Sequence, residues 1–148
     1  MKIWLKRITL SILLLLVVGT VAFVAWSLNP LEAMPEALTA LESDDEVLVT
    51  DTDWMVFTPT TGESDTGVII YPGGHVDPRA YAPLAKEIAR EGYLVILPPM
   101  PLNLAFTGIN VADEIMQASP EIEHWYVGGH SLGGAMAAEY AADNAEKI

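Results

Sequence analysis

The chain of 148 residues contains no cysteine. This absence excludes a disulfide framework, a thiolate nucleophile and any metal site built on cysteine. Basic residues are also scarce: seven Lys and Arg stand against 20 Asp and Glu, and three of the seven precede residue 8. Residues 8–148 are therefore strongly acidic, which argues against nucleic acid and anionic membrane surfaces as partners. The simpler interpretation of the same charge is a surface that confers solubility.

Histidine is the third scarce residue. The chain has three, His75, His124 and His130, and none is spaced with carboxylates as metal ligands are. We therefore expect no metal and no other cofactor. The sequence also lacks internal repeats and low-complexity segments, which excludes a solenoid or a fibrous protein.

One long apolar run stands near the N-terminus. Residues 8–28 carry no charge, follow Lys2, Lys6 and Arg7, and are flanked by Trp4 and Trp26. As a helix the run is about 31 Å long, which matches a bilayer's hydrocarbon thickness. A cleaved signal peptide has a shorter apolar region and a small-residue cleavage site, so the pattern favours an uncleaved anchor. Because the basic residues precede the run, we expect a cytoplasmic N-terminus and an extracytoplasmic domain.

The rest of the sequence predicts two regions. Residues 29–46 form a short membrane-proximal helix, kinked at Pro35, and an acidic linker that serves solvation. Residues 47–148 form the folded domain. Its predicted strands are 47–50, 53–58, 68–71, 93–97 and 125–127, with a polar hairpin turn at 60–66, and its predicted helices are 78–91, 109–118 and 132–147. Strands that alternate with helices predict an α/β fold with a mainly parallel sheet and helices on both faces.

The most informative motif is Gly-His-Ser-Leu-Gly at residues 129–133. An apolar strand precedes it and a small-residue helix follows, which is the context of a nucleophile elbow. In such an elbow Ser131 is the nucleophile, on a sharp, strained turn. The elbow glycines Gly129 and Gly133 lack the Cβ atoms that would collide where strand and helix meet. The alternative is a glycine-rich turn with no chemistry.

A second glycine-rich loop follows the predicted strand 68–71. Its sequence is Pro-Gly-Gly-His at residues 72–75. In an acyl-transfer enzyme this loop supplies half of the oxyanion hole, and the residue after the nucleophile supplies the rest. The oxyanion candidates are therefore the backbone N–H groups of Gly74, His75 and Leu132. A plain turn is the alternative for the loop.

These residues carry a family resemblance. The chain resembles the N-terminal half of an α/β-hydrolase, and is similar to membrane-anchored bacterial proteins that resemble dienelactone hydrolases. The matching stretches are residues 71–85, 92–103 and 128–135. The resemblance implies a serine hydrolase with a Ser-His-Asp/Glu triad that acts on a small-molecule ester or a similar acyl substrate.

The sequence departs from the family pattern after the elbow. The triad of this fold runs Ser, acid, His along the chain, but no histidine follows Ser131. We therefore expect a partial hydrolase domain, with the acid and the histidine beyond residue 148. His75 is a possible stand-in base, although a pocket-lining or solvated loop role fits it as well. An inactive membrane-anchored scaffold or binding module, and an acyltransferase, stay open as alternatives.

The loop 98–106 leaves a predicted strand on the same side as the elbow. Three prolines predict that it is extended. Its Met, Leu and Phe side chains are expected either to form an apolar substrate pocket or to pack beneath a further part of the protein.

Overall fold

The computed structural model describes residues 2–62 and 64–148. Its helices are α1 (Lys2–Ser27), α2 (Pro35–Thr39), α3 (Ala82–Arg90), α4 (Val111–Ala118) and α5 (Leu132–Asp143). Its strands are β1 (Val47–Asp51), β2 (Met55–Pro59), β3 (Thr66–Tyr71), β4 (Leu94–Leu97) and β5 (His124–Gly129). The α/β class and five strands predicted from the sequence are confirmed.

The five strands form one sheet in the order β1-β2-β4-β3-β5. The central strand β3 pairs in parallel with β4 on one side and with β5 on the other. Beyond β4, the strand β2 pairs antiparallel with both β4 and β1. The expectation of parallel strands thus holds for β4, β3 and β5. The expected hairpin turn at 60–66 is wrong, because β2 pairs with β4 and β1; one of its residues, Glu63, lies outside the described residues.

Helices cover both faces of the sheet. Side chains alternate along β3, so Ile69 and Tyr71 pack towards α4 and α5, while Ile70 packs towards α3. The helix α3 contacts the sheet through alanines, which are small enough for a close approach: Ala82, Ala85 and Ala89 are all fully buried. The opposite core is larger and includes the buried Tyr140 of α5.

Several predicted element bounds shift. The expected helix at 78–91 divides into a 3-10 helix, Pro78–Tyr81, and α3. The helix α5 ends at Asp143, before the expected residue 147. The expected kink at Pro35 is wrong: this proline occupies the first turn of α2, where its missing N–H costs no helical hydrogen bond.

The helix α1 contains residues 8–27 of the apolar run. Its segment Ile3–Ser27 has a mean hydropathy of 2.7 over its most apolar window, and none of that window is buried. The helix is therefore long and apolar enough to cross a membrane.

The acidic segment before β1 is not only solvated. Asp44 accepts hydrogen bonds from the backbone N–H groups of Glu46 and Val47, at 3.0 and 2.8 Å. It also pairs with Lys86 and Arg90 of α3, each at 2.9 Å. The hydrogen bond from Lys86, the two backbone bonds and the bond from Arg90 hold the pKa of Asp44 well below its ordinary value of 3.8. This residue thus attaches the segment to the domain.

We expect the Asp44→Asn variant to be less stable than the wild type at pH 7. Since the folded-state pKa is lowered, the ionised carboxylate stabilises the fold above the ordinary pKa of 3.8, and this contribution is lost as the pH falls through the folded-state pKa. Urea unfolding at pH 7 and at lower pH measures the difference, which should shrink on acidification. Asp45→Asn is the matched control, and an equal effect of both variants at pH 7 would contradict this role of Asp44.

Candidate active site

Two loops leave the sheet side by side at one edge, which we call the carboxyl edge because β3, β4 and β5 end there. The strands β3 and β5 are paired to their last residues, with Tyr71 opposite Gly129. Residues 72–74 and 130–132 therefore leave neighbouring strands together. The chain passes from β4 on one side of β3 to β5 on the other, so this is a topological switch point, where ligands bind in open α/β sheets.

Ser131 lies on the turn between β5 and α5. Its backbone has φ 52° and ψ −120°, a conformation that costs a non-glycine residue roughly 1–3 kcal/mol. The side chain is exposed and makes no capping hydrogen bond to α5. The preceding N–H, of His130, donates to the Tyr71 carbonyl at 3.2 Å. The turn is thus strained, held to β3, and leaves the hydroxyl group accessible.

Both elbow glycines lie too close to other backbone atoms to accept a side chain. A Cβ atom at Gly133 would lie 2.2 Å from the carbonyl oxygen of Tyr71 and 2.3 Å from that of Pro72. One at Gly129 would lie 2.6 Å from the Tyr71 oxygen. The close approach of β5 and α5 to the end of β3 therefore requires glycine at both positions.

The loop after β3 lies against the residue that follows Ser131. A Cβ atom built on Gly74 would lie 3.0 Å from Cδ2 of Leu132. Within the described residues, no backbone carbonyl accepts from the N–H of Gly74 or of Leu132. The loop that holds Gly74 therefore touches the residue that follows Ser131.

His75, the other oxyanion candidate, is differently engaged. Its N–H donates to the Asn103 carbonyl at 2.7 Å, so in this conformation it is not free for a substrate. Its ring stacks on Trp26 of α1, with centroids 4.0 Å apart, and Nε2 lies 2.7 Å from the Trp26 carbonyl oxygen. The side chain is turned to the end of α1, an arrangement that does not favour His75 as the base.

The other two histidines also have surroundings that do not favour them as the base for Ser131. His124 opens β5 at the amino end of the strand, opposite the elbow. His130 directs Nδ1 to the Tyr81 hydroxyl at 3.0 Å, and the same hydroxyl accepts from the Gly73 N–H at 3.0 Å. Tyr81 thus connects the glycine-rich loop to the elbow. Sequence reasoning missed this role, and no local signal indicates it because the partners are 8 and 49 residues away.

The loop after β4 is not extended as the prolines predicted. It contains two short 3-10 segments, Pro101–Asn103 and Ala105–Thr107, and the chain turns at Leu102 and Asn103, whose left-handed backbones have φ values of 54° and 53°. Met100 and Leu104 are buried in the core, whereas Phe106 is 54% exposed. Met100 and Leu104 thus pack within the domain, while the half-buried Leu102 and the exposed Phe106 are accessible. Both alternatives for the loop stay open for these two side chains.

Strain is concentrated at this edge. Among the described residues, the non-glycine positions with positive φ are His75, Leu102, Asn103 and Ser131. All four belong to loops that follow β3, β4 or β5. Backbone strain of this kind clusters at functional sites.

A sequence profile described as the alpha/beta hydrolase family matches residues 67–148, more than half of the chain. The matched part begins in β3 and includes both glycine-rich loops. The chain therefore belongs to the alpha/beta hydrolase family. No curated protein shows significant sequence similarity to it.

Solved structures share this fold. A bacterial heroin esterase is 21% identical, with a TM-score of 0.56 over 75% of this chain and 44% of its own. A thermostable esterase from Pseudomonas putida ECU1011 is 20% identical, with a TM-score of 0.52 over 75% of this chain and 43% of its own. The chain thus spans less than half the length of the esterases it resembles.

Proposed function

We propose that the chain is the elbow-bearing part of a membrane-anchored serine hydrolase that cleaves carboxylic esters. The observation that carries this proposal is the position of Ser131: an exposed residue on a strained turn, followed by Leu132, whose side chain the Gly74 loop touches. Within the described residues, no backbone carbonyl accepts from the N–H of Gly74 or of Leu132. The similar esterase folds support an ester as the substrate class.

In the proposed reaction Ser131 Oγ attacks the ester carbonyl. The carbonyl oxygen becomes an oxyanion and accepts hydrogen bonds from Gly74 and Leu132, each worth about 3–4 kcal/mol in the transition state. The alcohol leaves with the proton that the serine gave up. Water then hydrolyses the acyl-serine to release the acid. Because its N–H is bonded to Asn103, His75 contributes as a loop residue rather than as a donor.

The triad acid and histidine are proposed to lie in the part of the fold that this chain does not span. Two observations support this: no histidine follows Ser131 in the sequence, and the His75 side chain is engaged with α1. We expect the described chain alone to be nearly inactive, since loss of a triad member removes most of the catalysis.

The membrane anchor is the other part of the proposal. Residues 8–28 cross the membrane with a cytoplasmic N-terminus, residues 29–46 join the anchor to the domain, and residues 47–148 belong to an extracytoplasmic hydrolase domain. The length and hydropathy of α1 and the basic residues before the run support this arrangement.

A serine-directed alkyl phosphonate tests the proposed function on the product of the whole gene. We expect one adduct, mapped by peptide mass spectrometry to Ser131 and absent from Ser131→Ala. An inactive scaffold predicts no adduct, and that result would overturn the proposal. If added alcohol diverts the acyl group to a new ester faster than water releases it, the protein is an acyltransferase and not a hydrolase.

We expect Tyr81→Phe to lower kcat/KM of ester hydrolysis roughly tenfold without unfolding the protein. The change removes one hydroxyl that bonds both Gly73 and His130, and a neutral hydrogen bond contributes about 1 kcal/mol. Steady-state kinetics of the whole gene product measures the loss. Tyr126→Phe, at an exposed tyrosine of β5, is the control, and equal rates for both variants would refute the role of Tyr81.

A further inference from the structure

The end of the apolar helix is attached to the carboxyl edge. The Trp26 ring stacks on the ring of His75 at 4.0 Å, and the Trp26 carbonyl oxygen lies 2.7 Å from Nε2 of His75. The Asn103 side chain donates to the carbonyl of Ser27 at 2.8 Å. Ser27 itself is fully buried. The loops after β3 and after β4 thus both bind the last turn of α1.

The chain beyond α1 continues this attachment. The N–H of Leu31 donates to the His75 carbonyl at 2.9 Å, and the Leu31 carbonyl accepts from the Asp77 N–H at 2.9 Å. These bonds form a parallel bridge between Leu31 and Val76. No free linker therefore separates the helix from the loop that borders Ser131, and the carboxyl edge is the side of the domain nearest the end of α1.

Exposed apolar side chains surround this junction. Leu28, Leu31 and Met34 follow the helix and are 61%, 66% and 69% exposed. Phe106, in the same loop as Asn103, is 54% exposed. If residues 8–28 cross the hydrocarbon layer, these side chains lie at the depth of the headgroups, where amphipathic aromatic residues such as Trp26 also sit.

We propose that the carboxyl edge lies on the membrane surface and that the site takes acyl esters of uncharged bilayer amphiphiles. The inference rests on the proposed function and adds the substrate class. The ester carbonyl of such an amphiphile lies between headgroup and hydrocarbon, which is the depth of Trp26 and hence of the loop holding Gly74. Because residues 8–148 carry four basic against 20 acidic residues, an uncharged amphiphile is favoured over an anionic one.

The proposed hydrolysis needs water as its only co-reactant. Ser131 Oγ forms a bond to the acyl carbon, and the bond from that carbon to the alcohol oxygen breaks. The alcohol leaves with the serine proton. Water then cleaves the acyl-serine, which releases a long-chain acid and restores the hydroxyl.

The location can be tested without any activity by labelling one introduced cysteine in the whole gene product, because residues 1–148 contain no cysteine and any cysteine elsewhere is first replaced by serine. The Phe106→Cys variant is labelled with a polarity-sensitive fluorophore and reconstituted in phosphatidylcholine vesicles. Glu121→Cys, an exposed position before β5 at the opposite edge, is the matched control. We expect lipid-borne doxyl groups to quench the label at position 106 and aqueous iodide to quench it at position 121. Equal iodide quenching at both positions, without doxyl quenching, would overturn the proposal.

The substrate class is tested with the whole gene product in the same vesicles. We expect kcat/KM for a diacylglycerol in the bilayer to exceed that for a short-chain aryl ester in water by about tenfold or more. Turnover of the aryl ester alone would overturn the substrate class and leave the hydrolase proposal intact. If neither ester is hydrolysed in a Ser131-dependent way, the hydrolase proposal fails, and this inference with it.

Discussion

The Gly133→Ala variant is expected to lose several kcal/mol of its free energy of unfolding, because the added methyl group overlaps two backbone oxygen atoms. The added Cβ atom would lie 2.2 Å from the Tyr71 carbonyl oxygen and 2.3 Å from the Pro72 carbonyl oxygen. Both are backbone atoms, so no side-chain rotation relieves the overlap. Overpacking in a close-packed interior costs about 1–3 kcal/mol, and more where the backbone itself must move.

Gly128→Ala is the matched control for that loss. Gly128 lies one residue before Gly129 in β5, and a Cβ atom there would meet no other atom within 4 Å. Urea unfolding of both variants measures the two free energies. We expect Gly128→Ala to resemble the wild type. Equal stability of the two variants would mean that α5 does not approach the end of β3 as closely as described.

The second large effect is on catalysis. Ser131→Ala is expected to lower kcat of ester hydrolysis by the whole gene product by roughly 10⁴–10⁶-fold, as loss of the nucleophile does in other serine hydrolases. The residual rate would come from the Gly74 and Leu132 donors and from substrate binding. The fold should persist, because the Ser131 side chain is exposed and makes no capping hydrogen bond to α5.

Ser119→Ala is the control for the catalytic loss. Ser119 directly follows α4 and makes backbone hydrogen bonds with Met116 and Ile122. Comparison of kcat for the two variants under the same conditions separates the loss of a nucleophile from the loss of any serine hydroxyl. Hydrolysis by Ser131→Ala within tenfold of the wild-type rate would exclude Ser131 as the nucleophile.

The local structure around the two glycine-rich loops is predictable from the sequence. The apolar runs around residues 69 and 126 and the glycine-rich loops after them predict a strand followed by a turn at each place. Periodicity and glycine placement are local signals, so the α/β class could be derived from them. The parallel pairing of β3 with β5 up to Tyr71 and Gly129 then brings the two loops together.

The contacts between residues far apart in the chain could not be predicted from the sequence. Nothing near Tyr81 indicates that its hydroxyl bonds residues 73 and 130, and nothing near Leu102 indicates a left-handed backbone in a proline-rich loop. The stacking of Trp26 on His75 joins residues 49 positions apart. The sequence predicts a separate anchor and linker, because hydropathy depends on the composition of a segment and carries no information on what the end of that segment contacts.

The most direct test of the account is a crystal structure of the whole gene product after reaction with an alkyl phosphonate. We predict a phosphorus–oxygen bond to Ser131 Oγ, with the phosphonyl oxygen about 2.7–3.1 Å from the backbone nitrogens of Gly74 and Leu132. In that structure the N–H of His75 should still donate to the Asn103 carbonyl. An adduct on another residue, or a phosphonyl oxygen directed away from both nitrogens, would contradict the account.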